Sequence, residues 1–250
     1  MDKKSFKKMG PAVITESGEY DSIKSMGPMS ISAPAITANS LSAMGPATIQ
    51  SSTVEVDEMK IQGPLTGSGS LKIANLKING PVKFTGDIML SDSGKINGPI
   101  NLEGSLTGNS EVDLKINGPL GVDSVKDFNG VKVNGPVEAD SLTNITTLKI
   151  NGKVTTEEIS VSEDLIISLN SGESVIGKIT GNRIEIGQNT ENSFFGKFFL
   201  KINNPGFATI DEIHSDGTVE LDHVKVKKVV ARELFAGDET EIGEYIEIQD

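Results

Sequence analysis

Along most of this chain apolar and polar residues alternate with a spacing of two, the pattern of strands with one buried and one wet side. The alternation is interrupted by Gly-Pro at Gly10-Pro11, Gly27-Pro28, Gly45-Pro46, Gly63-Pro64, Gly80-Pro81, Gly98-Pro99, Gly118-Pro119 and Gly135-Pro136, and Gly152-Lys153 continues the series. The intervals are 17, 18, 18, 17, 18, 20, 17 and 17 residues, and eight of the ten prolines sit at this one position, so the chain is an internal repeat. Four residues before the Gly stand Phe6, Ile23, Leu41, Met59, Leu76, Leu114, Val131 and Leu148, with Gly94 the exception. Ile61, Ile78, Ile96, Ile116, Val133 and Ile150 lie two before it, and Ala12, Met29, Ala47, Leu65, Val82, Ile100, Leu120, Val137 and Val154 two after. Gly adopts backbone angles that other residues resist, and Pro has no N–H to give to a ladder, so the pair predicts a corner.

A shorter period lies inside the longer one. From Lys77 the chain reads KINGPV, KFTGDI, MLSDSG, KINGPI, NLEGSL, with apolar residues at the second and last places of most units. Three six-residue sides close an 18-residue turn, which predicts an all-β, parallel, triangular β-helix (a β-solenoid) of about 17–18 residues per coil. The chain supplies roughly 14 such coils, a rod ~65 Å long at the ~4.8 Å strand spacing. The expected organisation is a flexible basic arm over 1–9 and a regular solenoid over 10–190. A Phe-rich interruption over 191–207 and C-terminal coils over 208–250 follow. The 20-residue interval before Gly118 predicts a side with a small outward bulge.

Composition fits a thin core. Among 250 residues there are 27 Gly, 4% aromatics, no Trp and no Cys, with 36% hydrophobic residues and a net charge of -12. The absence of Cys removes disulfides, thiolate chemistry and Cys-bound zinc, and fits a reducing compartment or redox indifference. No apolar run approaches the ~20 residues of a membrane span. The basic, polar opening MDKKSFKKMG is unlike a secretory signal, so a cytoplasmic location is expected.

In a solenoid each repeat position becomes a column. Gln62, Asn79, Asn97, Asn117, Asn134 and Asn151 form one, a candidate amide ladder, with Met9, Met26 and Met44 in the same place in the first repeats. Lys7, Lys24, Lys60, Lys77, Lys95, Lys115, Lys132 and Lys149 form another, with Ser42 the gap. This is either a solvated face that discourages lateral sheet pairing or a track for an anionic partner. Nucleic acid fits poorly, because the only arginines are Arg183 and Arg232 and no aromatics interleave the lysines. Phe194, Phe195, Phe198, Phe199 and Phe207 cluster in NSFFGKFFLKINNPGF, either filling a widened coil or forming a surface for self-association or membrane contact.

Candidate chemistry is sparse. His214 and His223 are the only histidines and both lie outside the regular repeat. Asp57, Glu58, Glu157 and Glu158 are adjacent carboxylates without metal-ligand spacing, and no phosphate-cradling Gly-Lys-Ser/Thr loop occurs. No catalytic, cofactor or metal residue is therefore assigned, and neither nucleotide nor nucleic acid is expected as a partner. A hexapeptide-repeat β-helix acyltransferase and a rigid surface appendage remain the competing classes. No capping helix is visible at either terminus, so the exposed coil edges favour stacking between molecules.

The strings KINGPV, KINGPI, KINGPL and KVNGPV resemble the I-x-G-x-Φ coils of bactofilins, the polymer-forming cytoskeletal proteins, and VVARELFAGDETEIGEYIEI is similar to the closing coils of longer members. The resemblance implies a right-handed triangular β-helix, nucleotide-independent non-polar filaments built by end-to-end contacts of the chain with itself, and a scaffold role at the envelope, with membrane lipid or envelope proteins as further partners. It also implies an N-terminal membrane-targeting segment, matched here by Met1, Lys3, Lys4, Phe6, Lys7 and Lys8. An aromatic that supports polymerisation near the C-terminal end points to Phe235 or Tyr245. The corner set is Gly45, Pro46, Gly63, Pro64, Gly80, Pro81, Gly98, Pro99, Gly118, Pro119, Gly135 and Pro136. The long chain and its repeated Gly-Pro depart from the short members of that family.

Overall fold

A computed structural model of the chain describes residues 3–170, 172–188, 206–237 and 239–249. Among them there is no helix. Twenty-one strands, from β1 (Lys4–Lys8) to β21 (Glu241–Glu247), join one sheet that winds on itself as a β-solenoid of about 13 turns, ~60 Å of rod at the ~4.8 Å strand spacing. The rungs between coils are parallel, because each coil passes over the last in the same direction.

The three-sided coil is plainest in β13 (Val137–Asn151). Val137 and Ala139 are buried on one side, Leu142 and Ile145 on the next, Leu148 and Ile150 on the third. Here side I denotes the stretch before each Gly-Pro, side II the stretch after it, and side III the remaining one. β12 (Leu120–Asn134) sits beneath β13 residue on residue, Leu120 against Val137, Val131 against Leu148 and Val133 against Ile150. The core is therefore a bundle of apolar columns. Phe84 and Phe128 are its largest fully buried side chains, which is why the chain holds so few aromatics. Gly94, the exception in its column, has a physical reason. A Cβ there would lie 2.6 Å from Leu90 Cδ1 and 2.7 Å from Leu114 Cδ1, so neighbouring leucines already fill the space.

The Gly-Pro corners obey the same stacking. Val82, Ile100 and Leu120 donate their N–H groups to the carbonyls of Pro99, Pro119 and Pro136 at 2.8, 2.8 and 2.9 Å. Pro thus gives its oxygen to the neighbouring coil at the one place where it need not give an N–H. Gly118 has φ 151°, and a Cβ on it would stand 2.6 Å from the Gly98 carbonyl oxygen. Successive corners are packed backbone on backbone, with no room for a side chain. The long interval is accommodated where expected. Between β10 (Ile100–Thr107) and β11 (Asp113–Asn117) residues 108–112 fall outside the strands, though Gly108 and Ser110 still donate their N–H groups to the Lys126 and Asp127 carbonyls at 2.9 and 2.7 Å, and Val112 is buried in the core.

One expectation needs correction, and a second falls outside the described residues. Residues 4–8 of the expected arm are strand β1, paired in parallel with β3 (Gly18–Ser25), and Phe6 packs against the core instead of standing free. The Phe-rich segment, with Phe194, Phe195, Phe198 and Phe199, lies outside the described residues. Its described flanks meet at a corner, Gln188 Nε2 donating to the Gly206 carbonyl at 3.4 Å, between β16 (Arg183–Gly187) on side I and β17 (Phe207–Ser215) on side II. That is the corner that Gly-Pro occupies in the regular coils.

Corner packing yields a paired expectation. Gly118→Ala lowers stability by about 2–4 kcal/mol, the range of a backbone clash at a constrained φ. Gly10→Ala is close to neutral, because no atom lies within 4 Å of a Cβ built there. Thermal unfolding followed by circular dichroism separates the two, and equal melting temperatures would show that the corners tolerate side chains.

Candidate functional site

Three surfaces carry the chemistry of this molecule: the lysine column, the amide column beside it, and the outer rims of the first and last coils. The lysine column is real and in register. On side I Lys7 stands against Lys24, Lys60 against Lys77, Lys77 against Lys95, Lys95 against Lys115, Lys115 against Lys132 and Lys132 against Lys149, with Ser42 between Lys24 and Lys60. Lys60 pairs with Glu58 of its own strand at 2.6 Å. Neighbouring ammonium groups repel by only about 1 kcal/mol at ~4 Å in water, and their stems splay, so the ladder stands at modest cost. A shallow groove of about 460 Å³ runs beside it, lined by Lys95, Lys115, Lys132, Lys149, Asp113 and Thr147 among others.

Sequence spacing stops at Lys149, but the column continues. It passes to Ile166 of β14 (Val154–Ser168), then to Glu185, to Glu220 of β18 (Thr218–Leu221) and to Phe235 of β20 (Glu233–Ala236). One side of the rod is therefore basic over most of its length and acidic in its last coils. The signal was present in the alternating strings DLIIS, RIEIG, TVEL and ELFA, but without Gly-Pro to fix their phase they do not align by eye. The C-terminal coils handle charge differently elsewhere. On side III Glu158, Lys178, Glu212, Lys228 and Glu244 alternate in sign up one column. On side II Lys225 meets Glu241 at 2.8 Å, and Lys227 meets Asp211 at 2.6 Å.

The amide ladder also forms. Nδ2 of Asn79 donates to Gln62 at 2.8 Å, Asn97 to Asn79 and Asn117 to Asn97 at 2.6 Å, and Asn134 to Asn117 at 2.8 Å. Asn170, which the repeat spacing misses, donates to Asn151. Asn79, Asn97 and Asn117 each accept from the coil on one side and donate to the coil on the other, the geometry that stacked identical amides reach without adjustment. In the first coils Met9, Met26 and Met44 take this place and are exposed.

The end rims differ from each other. On the first coil Phe6 and Tyr20 close the core, Tyr20 OH donating to the Glu16 carbonyl at 3.3 Å, while Lys3, Lys4, Lys7 and Lys8 are exposed. Lys3 Nζ donates to Asn39 Oδ1 at 2.8 Å, and Met1 lies outside the described residues. On the last coil Leu234 and Ile242 are only partly buried, and Phe235 and Tyr245 are 57% and 41% exposed. Tyr245 follows Val229 in a core column, whereas Phe235 points outward on side I, so the two candidate polymerisation aromatics lie on different parts of one rim.

Each histidine stands beside a carboxylate. His214 Nε2 lies 2.9 Å from Glu212 Oε1 on the outer surface, and this hydrogen bond holds the Glu212 carboxyl below its ordinary value. His223 turns a corner at φ 59°, with Nδ1 3.0 Å from Asp222 Oδ1. The carboxylates Asp123, Asp140 and Glu157 face a groove of about 680 Å³ on side II, and no group of three or more metal-ligating side chains is found among the described residues. No protein-family model, curated protein or solved structure matches the chain.

Among the described residues Glu185 is the one buried carboxylate. Burial pushes its pKa up; Glu220 and Asp164 add to that, and Arg183 and Lys149 oppose it. As pH rises from the ordinary carboxylate value towards the raised one, the unfolded chain ionises first, so the native state holds the extra proton and loses stability. Glu185→Gln removes that penalty. Its melting temperature, relative to the parent's, is expected to rise between about pH 4 and about pH 7. Thermal melts across this range check the sign, and a difference that shrinks or stays flat contradicts it.

Proposed function

We propose that this chain is a structural protein that assembles with itself, coil edge to coil edge and without nucleotide, into filaments serving as a scaffold, as its resemblance to polymer-forming cytoskeletal proteins implies. The observation that carries the reading is the last coil. Among the described residues its strands pair along one edge only, Leu234 and Ile242 are incompletely covered, and Phe235, Tyr245 and Ile246 are exposed at different places on the rim. Covering a rim of this kind with another coil satisfies N–H and C=O groups and removes apolar surface from water in one step, at roughly 25 cal/mol per Å² of apolar area. The lysine ladder gives such a filament one basic side, suited to anionic headgroups.

Negative-stain microscopy of the purified chain at physiological salt, without nucleotide, is expected to show filaments; particles no larger than monomers or small closed oligomers overturn the proposal. Phe235→Arg is expected to cut the polymerised fraction in a sedimentation assay about ten-fold, the effect of ~1.4 kcal/mol per contact, with the β circular-dichroism signal intact. Unchanged polymer would remove Phe235 from the contact.

A further inference from the structure

We infer that copies of this chain join head to tail, the Lys-rich first coil of one seated on the Glu-rich last coil of the next, giving a filament with a direction. The inference rests on the self-assembly reading and specifies its contact. Open edges alone do not choose between like and unlike ends, and the family resemblance implies filaments without polarity; three features of the two rims favour unlike ends in this chain.

First, the columns of the fold run from the first coil to the last. The column that starts at Phe6 and Ile23 ends at Val219 and Leu234, and the one that starts at Ile14 and Ile31 ends at Val226 and Ile242. The column that starts at Gly18 ends at Tyr245. A second copy placed on the last coil in this register sets Leu234 on Phe6 and Ile242 on Ile14, and the large Tyr245 on a glycine.

Second, the rims carry opposite charge. The first coil presents Lys4, Lys7 and Lys8 on side I with Glu16 and Glu19 on the rest of its rim, and the last presents Glu233, Glu241, Glu244 and Glu247, so the basic part of the first rim lies on side I and the last rim is acidic throughout. Two of these charges stand in core columns. Lys8 takes the position that Ser25 and Ala43 fill inwards, and Glu247 the position of Ala231. Opposite signs over the same prism attract when unlike ends meet, and contact between like ends sets lysine on lysine or glutamate on glutamate.

Third, a two-fold contact between like ends that keeps side stacked on side reverses strand direction at the junction. A head-to-tail contact continues the parallel pairing of the rest of the sheet. It is a heterologous contact, which leaves a free rim at each step and grows an open filament.

The chain has no cysteine, so introduced thiols report the contact directly. Ser5 and Glu233 are exposed on side I and fall opposite each other in the head-to-tail register, their Cα atoms at about the 4.8 Å strand spacing, within reach of a disulfide. Ser5→Cys and Glu233→Cys proteins of different tag mass, mixed under mild oxidation, are expected to give the disulfide heterodimer, with little homodimer from either protein alone. Val13→Cys with Glu241→Cys repeats the test on side II. Homodimers of one variant without the heterodimer overturn the head-to-tail contact and leave self-assembly standing, as do filaments that yield no cross-link with either pair. No cross-link together with no filaments by microscopy overturns the self-assembly reading itself.

Discussion

Each coil of this protein lies one strand spacing from the next, in register, so almost every residue must tolerate a near copy of itself ~4.8 Å away. That single constraint sorts the residue types. Ile, Val and Leu satisfy it by stacking into dry columns such as Leu76, Leu114, Val131 and Leu148, where Gly94 is replaced by its neighbours' methyl groups. Asn satisfies it because a carboxamide both donates and accepts, so Asn97, Asn117 and Asn134 bond along the axis. At the corner only glycine satisfies it, since the carbonyl of Gly98 occupies the space a Cβ on Gly118 needs. Lysine is permitted only outward, where water screens each neighbour.

Self-stacking also explains how much of the structure was legible beforehand. Where the 17–18-residue copy is faithful, position in the repeat equals position in space. The apolar columns, the amide ladder and the lysine ladder follow from Gly-Pro spacing alone. Legibility failed where the copy drifts. Ile166, Glu185, Glu220 and Phe235 belong to the lysine column, yet their coils lack Gly-Pro, and the stretch between Gln188 and Gly206 shifts the phase. It failed again at Lys4–Lys8, where only Phe6 is apolar and local pattern suggests an arm. The free edge of β3 makes this stretch a strand, a tertiary effect no local reading contains. Asn170 escaped for the first reason: its coil lacks the Asn-Gly-Pro marker.

The same principle separates the interior of the rod from its rims. In the middle, each coil is paired with a neighbour on both edges, and a charge such as Lys95 costs little because its position is outward. At the rims, positions that are inward elsewhere become interfaces with solvent, and there the chain places Lys8 at one end and Glu247 at the other. Inward charge at an open edge is a known guard against indiscriminate pairing, because burying it alone is expensive. A guard of one sign at each rim repels copies everywhere; guards of opposite sign repel only the wrong pairings. The charged rims and the apolar ones beneath them therefore need not conflict: Leu234, Ile242 and Tyr245 supply surface to bury, and the charges determine against what.

Charge along side I extends this selectivity beyond contact distance. The column is cationic from Lys7 to Lys149 and anionic at Glu185 and Glu220, so the rod carries a dipole along its axis on one side. At physiological salt the field of each end reaches about 8 Å, enough to orient two rims as they approach but not to link distant copies. The hydrophobic columns act at shorter range and carry no orientation of their own, since an apolar rim accepts either partner. Orientation thus comes from the outer residues and strength from the inner ones. The alternating ladder on side III, where Glu212 and Lys228 neutralise each other within one molecule, leaves side I as the side whose charge separates along the rod.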